Sequence, residues 1–207
     1  MVDMYRVKIC GITNKEDALN AIALGACSLG FIFYKDSPRY VTPEKVQEIV
    51  YFLPPFVQLV GVFVNSPIDY IHETMLSCQL DLVQLHGDEN PNDLVKLKSR
   101  FIKAIHVQTE SDLEAIVQFQ GLASGILLDT KSVTGYGGSG KMFDWGLALK
   151  AKDLDLPIIL SGGIDPANIN KAIQLVNPFA IDLCSGVESD LGKKDYNKLA
   201  SLFNQLR

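Results

Sequence analysis

Eight short apolar segments recur along the 207-residue chain, and segments with helical spacing of hydrophobic residues lie between them. Ala18, Leu19 and Ile22 show this spacing after the first apolar segment. Because strands that alternate with helices build βαβ units, the pattern predicts a parallel sheet covered by helices. The predicted strands are 5–10, 27–33, 57–64, 82–86, 101–107, 125–129, 156–161 and 179–183.

Four of the predicted helices begin with a polar residue followed by proline: Thr42-Pro43, Ser66-Pro67, Asn90-Pro91 and Asp165-Pro166. The polar side chain can accept a hydrogen bond from a free backbone N–H, and proline at the first helical position loses no hydrogen bond. A last helix is predicted over 195–207, where Leu199, Leu202 and Leu206 share one face. Helices are therefore expected directly after strand ends.

The number of strands indicates how the sheet closes. Eight strand-plus-helix units in 207 residues average about 26 residues each, which fits a small closed barrel. The alternative is an open doubly wound sheet, which usually has fewer strands and a glycine-rich dinucleotide turn after the first strand. The turn Cys10-Gly11-Ile12-Thr13 lacks that fingerprint. We therefore predict an α/β fold, a (β/α)₈ TIM barrel that forms a single catalytic domain over residues 1–207.

The first strand has two different faces. Side chains alternate along a strand, so Val7 and Ile9 point to one side while Lys8 and Cys10 point to the other. Helices would cover the apolar face, and the other face would line the barrel interior. Cys10 would then lie at the barrel mouth as a candidate catalytic residue, and Lys8 would favour its thiolate form. The alternative is that Cys10 is a small buried core residue.

Composition and charge narrow the classes of partner. The net charge of −5 and the absence of a Lys/Arg cluster exclude nucleic acid as a main partner. No apolar run reaches the roughly 18 residues of a membrane span, so we expect a cytoplasmic protein. The cysteines, Cys10, Cys27, Cys78 and Cys184, lie far apart with no nearby histidine at ligand spacing. Neither a metal site nor a disulfide framework is predicted.

Polar residues end most of the predicted strands, where the active site of such a barrel forms. They are Cys10, Asn65, Gln84, His86, His106, Asp129, Ser161 and Asp182. Asp129 follows the apolar run Ile126-Leu127-Leu128, and burial would favour its neutral form, which suits a general acid. The alternative for each residue is a structural role, such as bonding to loop amides.

Glycine-rich turns follow the last two strands. Gly162 and Gly163 come after the seventh strand, and Ser185 and Gly186 come after the eighth. Small residues let backbone N–H groups approach a ligand, so these turns predict a phosphate site at the C-terminal face of the barrel. Plain tight turns are the alternative.

Two further loops carry candidate ligand contacts. Loop 131–141 is rich in glycine and ends at Lys141, but Met142 replaces the hydroxyl residue of a P-loop, so we predict a flap over the barrel mouth. Arg39, in Ser37-Pro38-Arg39-Tyr40, presents donors suited to a carboxylate. A solvated surface arginine is the alternative.

The chain resembles the phosphoribosylanthranilate isomerase family over nearly its whole length and in the same order. The first-strand motif and Gln-Leu-His-Gly are the most specific. The matching motifs are Lys8-Ile9-Cys10-Gly11-Ile12-Thr13, Ser37-Pro38-Arg39-Tyr40, Gly61-Val62-Phe63-Val64, Gln84-Leu85-His86-Gly87, Leu128-Asp129-Thr130, Gly137-Gly138-Ser139-Gly140-Lys141, Phe143-Asp144-Trp145, Ser161-Gly162-Gly163-Ile164 and Ser185-Gly186-Val187-Glu188.

This resemblance implies a cofactor-free and metal-free Amadori rearrangement of N-(5'-phosphoribosyl)anthranilate in tryptophan biosynthesis. By the resemblance, Asp129 protonates the ribose ring oxygen, Cys10 removes the C2' proton, and Arg39 binds the anthranilate carboxylate. The resemblance also assigns the phosphate to Gly162, Gly163, Ser185 and Gly186, and implies that His86 and Asp182 line the pocket.

Some positions depart from the family pattern: Met142 stands where threonine is common, Cys184 where serine is common, and Leu191 where proline is common. Two other functions stay open. The histidine-pathway isomerase performs the same rearrangement, but its family uses paired aspartates rather than a cysteine. A non-catalytic barrel that binds a phosphorylated metabolite would not need Cys10 and Asp129 together. We expect a monomer or a homodimer.

Overall fold

A computed structural model describes residues 5–130 and 145–207 of the chain. Eight parallel strands follow one another around a closed barrel, and β8 completes the ring by pairing with β1. The strands are β1 (Val7–Cys10), β2 (Ser28–Ile32), β3 (Gln58–Phe63), β4 (Leu82–Leu85), β5 (Phe101–Val107), β6 (Ile126–Thr130), β7 (Ile158–Leu160) and β8 (Ala180–Leu183). The predicted barrel is confirmed, and no strand end differs from its predicted position by more than two residues.

Helices connect successive strands on the outside of the barrel. Within the described residues, none has the length and apolar character that crossing a membrane requires. They are α1 (Lys15–Leu24), α2 (Pro43–Val50), α3 (Ile68–Ser77), α4 (Pro91–Leu94), α5 (Glu114–Val117), α6 (Trp145–Ala151), α7 (Ile169–Val176) and α8 (Tyr196–Gln205).

Two of the four predicted proline starts are confirmed. Thr42 and Asn90 each accept a hydrogen bond from a first-turn N–H, with proline next in the chain. The prediction for Ser66 is wrong, because α3 begins one residue later and no side chain caps it.

The predicted helix start at Asp165 is also wrong. α7 begins at Ile169 after the N-cap residue Asn168. The Asp165 carboxylate instead accepts from the N–H groups of Ala167 and Asn168 at 2.7 and 3.1 Å. Asp165 thus stabilises a turn before the helix, because a short acidic side chain bonds its own following backbone as readily in a turn as in a helix cap.

Hydrophobic residues form two layers, one on each side of the barrel wall. Val7 and Ile9 belong to the outer layer between strands and helices, whereas Lys8 and Cys10 face the interior, as the alternation of β1 predicts. The interior layer is small and apolar: Val60, Leu82, Ile102, Ala104, Leu127 and Ile159. The residues at the C-terminal ends of the strands lie above this apolar layer. Polar side chains at these positions therefore do not interrupt it.

An antiparallel hairpin of β9 (Glu188–Asp190) and β10 (Lys193–Lys194) follows β8, and the sequence pattern did not predict it. Its turn contains Gly192 at a φ of 76°, a conformation that favours glycine. The hairpin packs against the chain after β1, where Thr13 Oγ1 donates to the Gly192 carbonyl oxygen at 2.5 Å. The Lys194 N–H also donates to Asp17 at 2.8 Å. These bonds hold Glu188 and Lys194 close to the barrel mouth.

Candidate active site

The C-terminal ends of the strands bring most of the predicted site residues to one end of the barrel. Asp182 pairs with Lys8 across the β8–β1 closure, and His106 pairs with Asp129 between β5 and β6. Cys10 and Asp129 are each only 5% exposed. The candidate base and the candidate acid therefore both lie buried at the C-terminal end of the barrel.

Lys8 and Asp182 form a buried ion pair inside the barrel. Lys8 Nζ donates to Asp182 Oδ1 at 2.7 Å, and Ser161 Oγ donates to Asp182 Oδ2 at 3.4 Å. Burial works to lower the pKa of Lys8, but the charge of Asp182, the charge of Cys10 and hydrogen bonds to both outweigh it and raise that pKa. Lys8 therefore stays protonated and supplies a fixed positive charge beside Cys10.

The thiol of Cys10 has a pKa lowered to about 6. The largest cause is a hydrogen bond with Cys184, and the charge of Lys8 also lowers this pKa, while burial opposes the change. The pKa of Cys184 is raised well above its ordinary value by that same hydrogen bond and by burial. These two opposite shifts favour the thiolate form of Cys10 and the thiol form of Cys184. The sequence indicated the effect of Lys8, but it did not indicate that Cys184 lies beside Cys10.

Arg39 is buried in an ionic cluster, so its alternative as a solvated surface residue is wrong. Its Nε and Nη2 donate to the two carboxylate oxygens of Glu188 at 2.8 and 2.7 Å. Lys194 Nζ donates to the same carboxylate at 2.9 Å. An arginine has five N–H donors, so the guanidinium keeps further donors for a ligand carboxylate. Neither Glu188 nor Lys194 was a candidate from sequence.

The Arg39 cluster is electrostatically favourable. The hydrogen bond with Glu188 raises the pKa of Arg39, although burial opposes it. Burial acts to raise the pKa of Glu188, but Arg39 and Lys194 lower it overall. Two basic side chains, Arg39 and Lys194, therefore share the Glu188 carboxylate close to the mouth.

The other side of the barrel mouth contains an amide, two imidazoles and a carboxyl group. Gln84 Nε2 and His86 Nδ1 are 3.0 Å apart, and His86 Nε2 lies 3.4 Å from Asp129 Oδ2. The ring centroid of His106 lies 5.0 Å from that of His86. With Gln84 as donor, His86 would be protonated on Nε2 and could orient the Asp129 carboxyl group.

This cluster also has the residue types of a metal site. The donor atoms of His86, His106 and Asp129 lie within 4.8 Å of one another. Imidazole and carboxylate ligands suit Zn²⁺ and similar ions. The sequence did not reveal the cluster because its members come from the ends of three strands, whereas local ligand spacing is what a sequence displays.

The glycine turns after β7 and β8 lie against each other. Gly162 and Gly163 have φ values of 79° and 67°, where other residues are strained. A Cβ atom on Gly186 would overlap the carbonyl oxygen of Ile164, so only glycine fits where the two turns meet. Ser185 begins a short 3₁₀ segment directly after β8. Two turns with closely approaching backbones therefore border one side of the mouth.

Asn65 contributes to loop structure. It has a φ of 49°, and its Oδ1 accepts from the Asp88 N–H at 2.8 Å. The nearby Glu89 carboxylate accepts from the N–H groups of Asn65 and Gly87, both at 3.0 Å, and from buried Lys103 at 2.9 Å. These bonds hold the loop after β4 in place.

The predicted flap, with Lys141 and Met142, lies outside the described residues.

Known proteins resemble this chain in sequence and fold. The family model of N-(5'phosphoribosyl)anthranilate (PRA) isomerase matches residues 7–205. The N-(5'-phosphoribosyl)anthranilate isomerase of Geobacter metallireducens is 48% identical over 204 residues, which are 99% of this chain and 100% of the relative. The crystal structure of phosphoribosyl anthranilate isomerase from Thermotoga maritima has a TM-score of 0.92 at 45% identity and covers 98% of both chains.

Another crystal structure contains a ligand. It is a phosphoribosyl anthranilate isomerase in complex with reduced 1-(o-carboxyphenylamino)-1-deoxyribulose 5-phosphate, with a TM-score of 0.88 at 42% identity and 98% coverage of both chains. These matches confirm the resemblance that the motifs indicated. The chain belongs to the N-(5'-phosphoribosyl)anthranilate isomerase family.

Proposed function

We propose that this chain isomerises N-(5'-phosphoribosyl)anthranilate to 1-(2-carboxyphenylamino)-1-deoxyribulose 5-phosphate in tryptophan biosynthesis, without a cofactor. The observation that carries the proposal is a buried thiolate and a buried carboxyl group at one barrel mouth, in Cys10 and Asp129. An aldose–ketose rearrangement needs one group that gives a proton and one that removes a proton. We assign this activity to one catalytic domain over residues 1–207.

The first step opens the sugar ring. The Asp129 carboxyl group donates its proton to the ring oxygen as the bond between that oxygen and C1' breaks. The nitrogen lone pair forms the new bond to C1', which gives a protonated Schiff base and a free hydroxyl group on the sugar. His86, 3.4 Å from Asp129, orients the carboxyl group for this transfer.

The second step moves a proton from carbon. The Cys10 thiolate removes the C2' proton, and the electrons of the C–H bond neutralise the Schiff base to give an enolamine. The C2' hydroxyl group then loses its proton while C1' gains one, which leaves the ketone product. Lys8 and Cys184 support the thiolate form of Cys10 on which this step depends.

Charge and backbone geometry support the binding assignments. Arg39 offers guanidinium donors to the anthranilate carboxylate, and its ion pair with Glu188 holds it in place. The turns with Gly162, Gly163, Ser185 and Gly186 offer backbone N–H groups to the phosphate. Asp182 acts through Lys8, and His86 lines the pocket beside Asp129. A monomer or homodimer and a cytoplasmic location stay predictions.

The test is the decay of substrate fluorescence on addition of purified protein, with the substrate generated in place from anthranilate and phosphoribosyl pyrophosphate. Rapid decay with the unmodified chain, and little decay with Cys10→Ala, would support both the reaction and its base. No decay with the unmodified chain would overturn the proposal, and the histidine-pathway substrate would be tried next.

A further inference from the structure

Cys184 is the neighbour of Cys10 across the closure of the barrel. The register pairs Lys8 with Asp182 and Ile9 with Leu183, so Cys10 and Cys184 come next on β1 and directly after β8. Side chains alternate, so Cys10 follows Lys8 into the interior and Cys184 follows Asp182. The 2.7 Å bond between Lys8 and Asp182 demonstrates that these two interior rows meet. The two thiols therefore face each other one step nearer to the mouth.

Both sulfur atoms lie against glycine backbones. A Cβ atom on Gly30 would lie 2.8 Å from Cys10 Sγ, and one on Gly11 would lie 2.9 Å from Cys184 Sγ. Each sulfur therefore occupies space that a side chain at the glycine would need, so the two glycines make room for the two thiols.

The charged groups around the pair favour one thiolate and one thiol. Cys10 interacts electrostatically with three charged groups, Lys8, Asp182 and Arg39. Glu188 and Lys194 face Cys184, with Glu188 Oε1 and Lys194 Nζ at 4.0 and 3.9 Å from its Sγ. The pKa of Cys184 is raised and that of Cys10 lowered, chiefly because the two hydrogen-bond each other. These opposite directions favour a pair with a single proton, held by Cys184.

We propose that Cys184 is a positioning residue whose thiol donates a hydrogen bond to the Cys10 thiolate and so holds Cys10 ready as the base. The catalytic part of this inference rests on the proposed function of Cys10. A hydrogen bond to the charged form of a group stabilises that form, and burial makes the bond stronger than it would be in water. Any residue at position 184, directly after β8, that carries an S–H or O–H group could supply this hydrogen bond.

The test compares Cys184→Ala, which removes the donor, with Cys184→Ser, which keeps one. Two pH titrations are measured for each variant: the ultraviolet absorbance of the Cys10 thiolate, obtained by difference from the matching Cys10→Ala protein, and kcat/KM. In the unmodified chain both should fall as pH decreases through about 6, because a lowered pKa keeps the thiolate down to that pH.

Cys184→Ala should move both midpoints to higher pH by on the order of one unit, which is a tenfold loss of thiolate at pH values well below both midpoints. Cys184→Ser should stay closer to the unmodified chain. Cys27→Ala is the matched control, because Cys27 is an exposed thiol whose Sγ bonds only the Val7 carbonyl oxygen among the contacts described for it, and it should move neither midpoint.

Unmoved midpoints in Cys184→Ala would overturn the proposal, as would a serine variant that matches the alanine variant. A moved thiolate midpoint with an unmoved kcat/KM profile would support the hydrogen bond but overturn Cys10 as the base. If the alanine variant fails to fold by circular dichroism, Cys184→Thr and Cys184→Val supply a second pair that differs only in the hydroxyl donor.

Discussion

The two sides of the barrel mouth hold their reactive groups in opposite ways. On the β8–β1 side, Cys10 lies next to the buried Lys8–Asp182 ion pair, and the Arg39–Glu188–Lys194 cluster is close by. On the β4–β6 side, the groups around Asp129 that the structure describes are imidazoles and an amide. We name these the base side and the acid side.

The difference follows from what each reactive group has to do. A base must stay deprotonated, and fixed cations such as Lys8 stabilise the thiolate of Cys10 even when it is buried. A general acid must hold a proton, so neighbours that can be uncharged and can hydrogen-bond suit it better than cations. One pocket can therefore contain both groups, because their surroundings differ over a few ångströms.

The strongest test of the base side is Cys10→Ala. We expect turnover to fall by on the order of 10²–10⁴-fold, because the proposed mechanism loses the base that removes the C2' proton. Stopped-flow or steady-state fluorescence decay measures the loss, and circular dichroism checks that the fold persists. Turnover within a few-fold of the unmodified chain would show that Cys10 is not the base, despite its cationic surroundings.

The corresponding test of the acid side is Asp129→Asn, which keeps the shape of the side chain and removes its acidic proton. Turnover should fall by on the order of 10²-fold or more, since ring opening loses its proton donor. The thiolate absorbance of Cys10 should be unchanged, because the groups that shift the pKa of Cys10 are Cys184, Lys8 and Asp182. A large change in that absorbance would contradict the separation of the two sides.

A stability test separates the contribution of the Lys8–Asp182 ion pair to folding from its contribution to the reaction. Lys8→Met should lower the free energy of unfolding by about 3–5 kcal/mol, because it leaves the Asp182 carboxylate buried without its partner. Adding Asp182→Leu should restore most of that stability, since an apolar pair needs no compensating charge. Denaturant unfolding measures both changes, and fluorescence decay should show that the double variant remains slow. Full activity in the double variant would argue against a role for the Lys8 charge.

The smallest expected effect is a change in KM on substitution of Arg39, at the edge of the base side. Arg39→Lys keeps a positive charge but loses the forked pairing with a carboxylate, so KM should rise on the order of tenfold, equivalent to about 1.4 kcal/mol. Glu188 keeps its bond with Lys194, which protects the local structure. An unchanged KM with a lower kcat would remove Arg39 from substrate binding.

Local patterns predicted a large part of this molecule. The period-two alternation in the first strand placed Lys8 and Cys10 inside the barrel, and Thr42 and Asn90 began their helices as expected. The failure at Asp165 has the same local origin, because a carboxylate that bonds the next two N–H groups serves a turn as well as a helix cap.

The sequence by itself determined the order of strands and helices, since hydrogen bonding and hydrophobic alternation act over a few residues. It also placed polar residues such as Cys10 and Asp129 at strand ends. Only the tertiary structure decided which of them meet. Arg39 and Glu188 are 149 residues apart in the chain, and Lys8 and Asp182 are 174 apart. Such pairs form only when β8 closes on β1, and closure depends on the whole barrel rather than on any one segment.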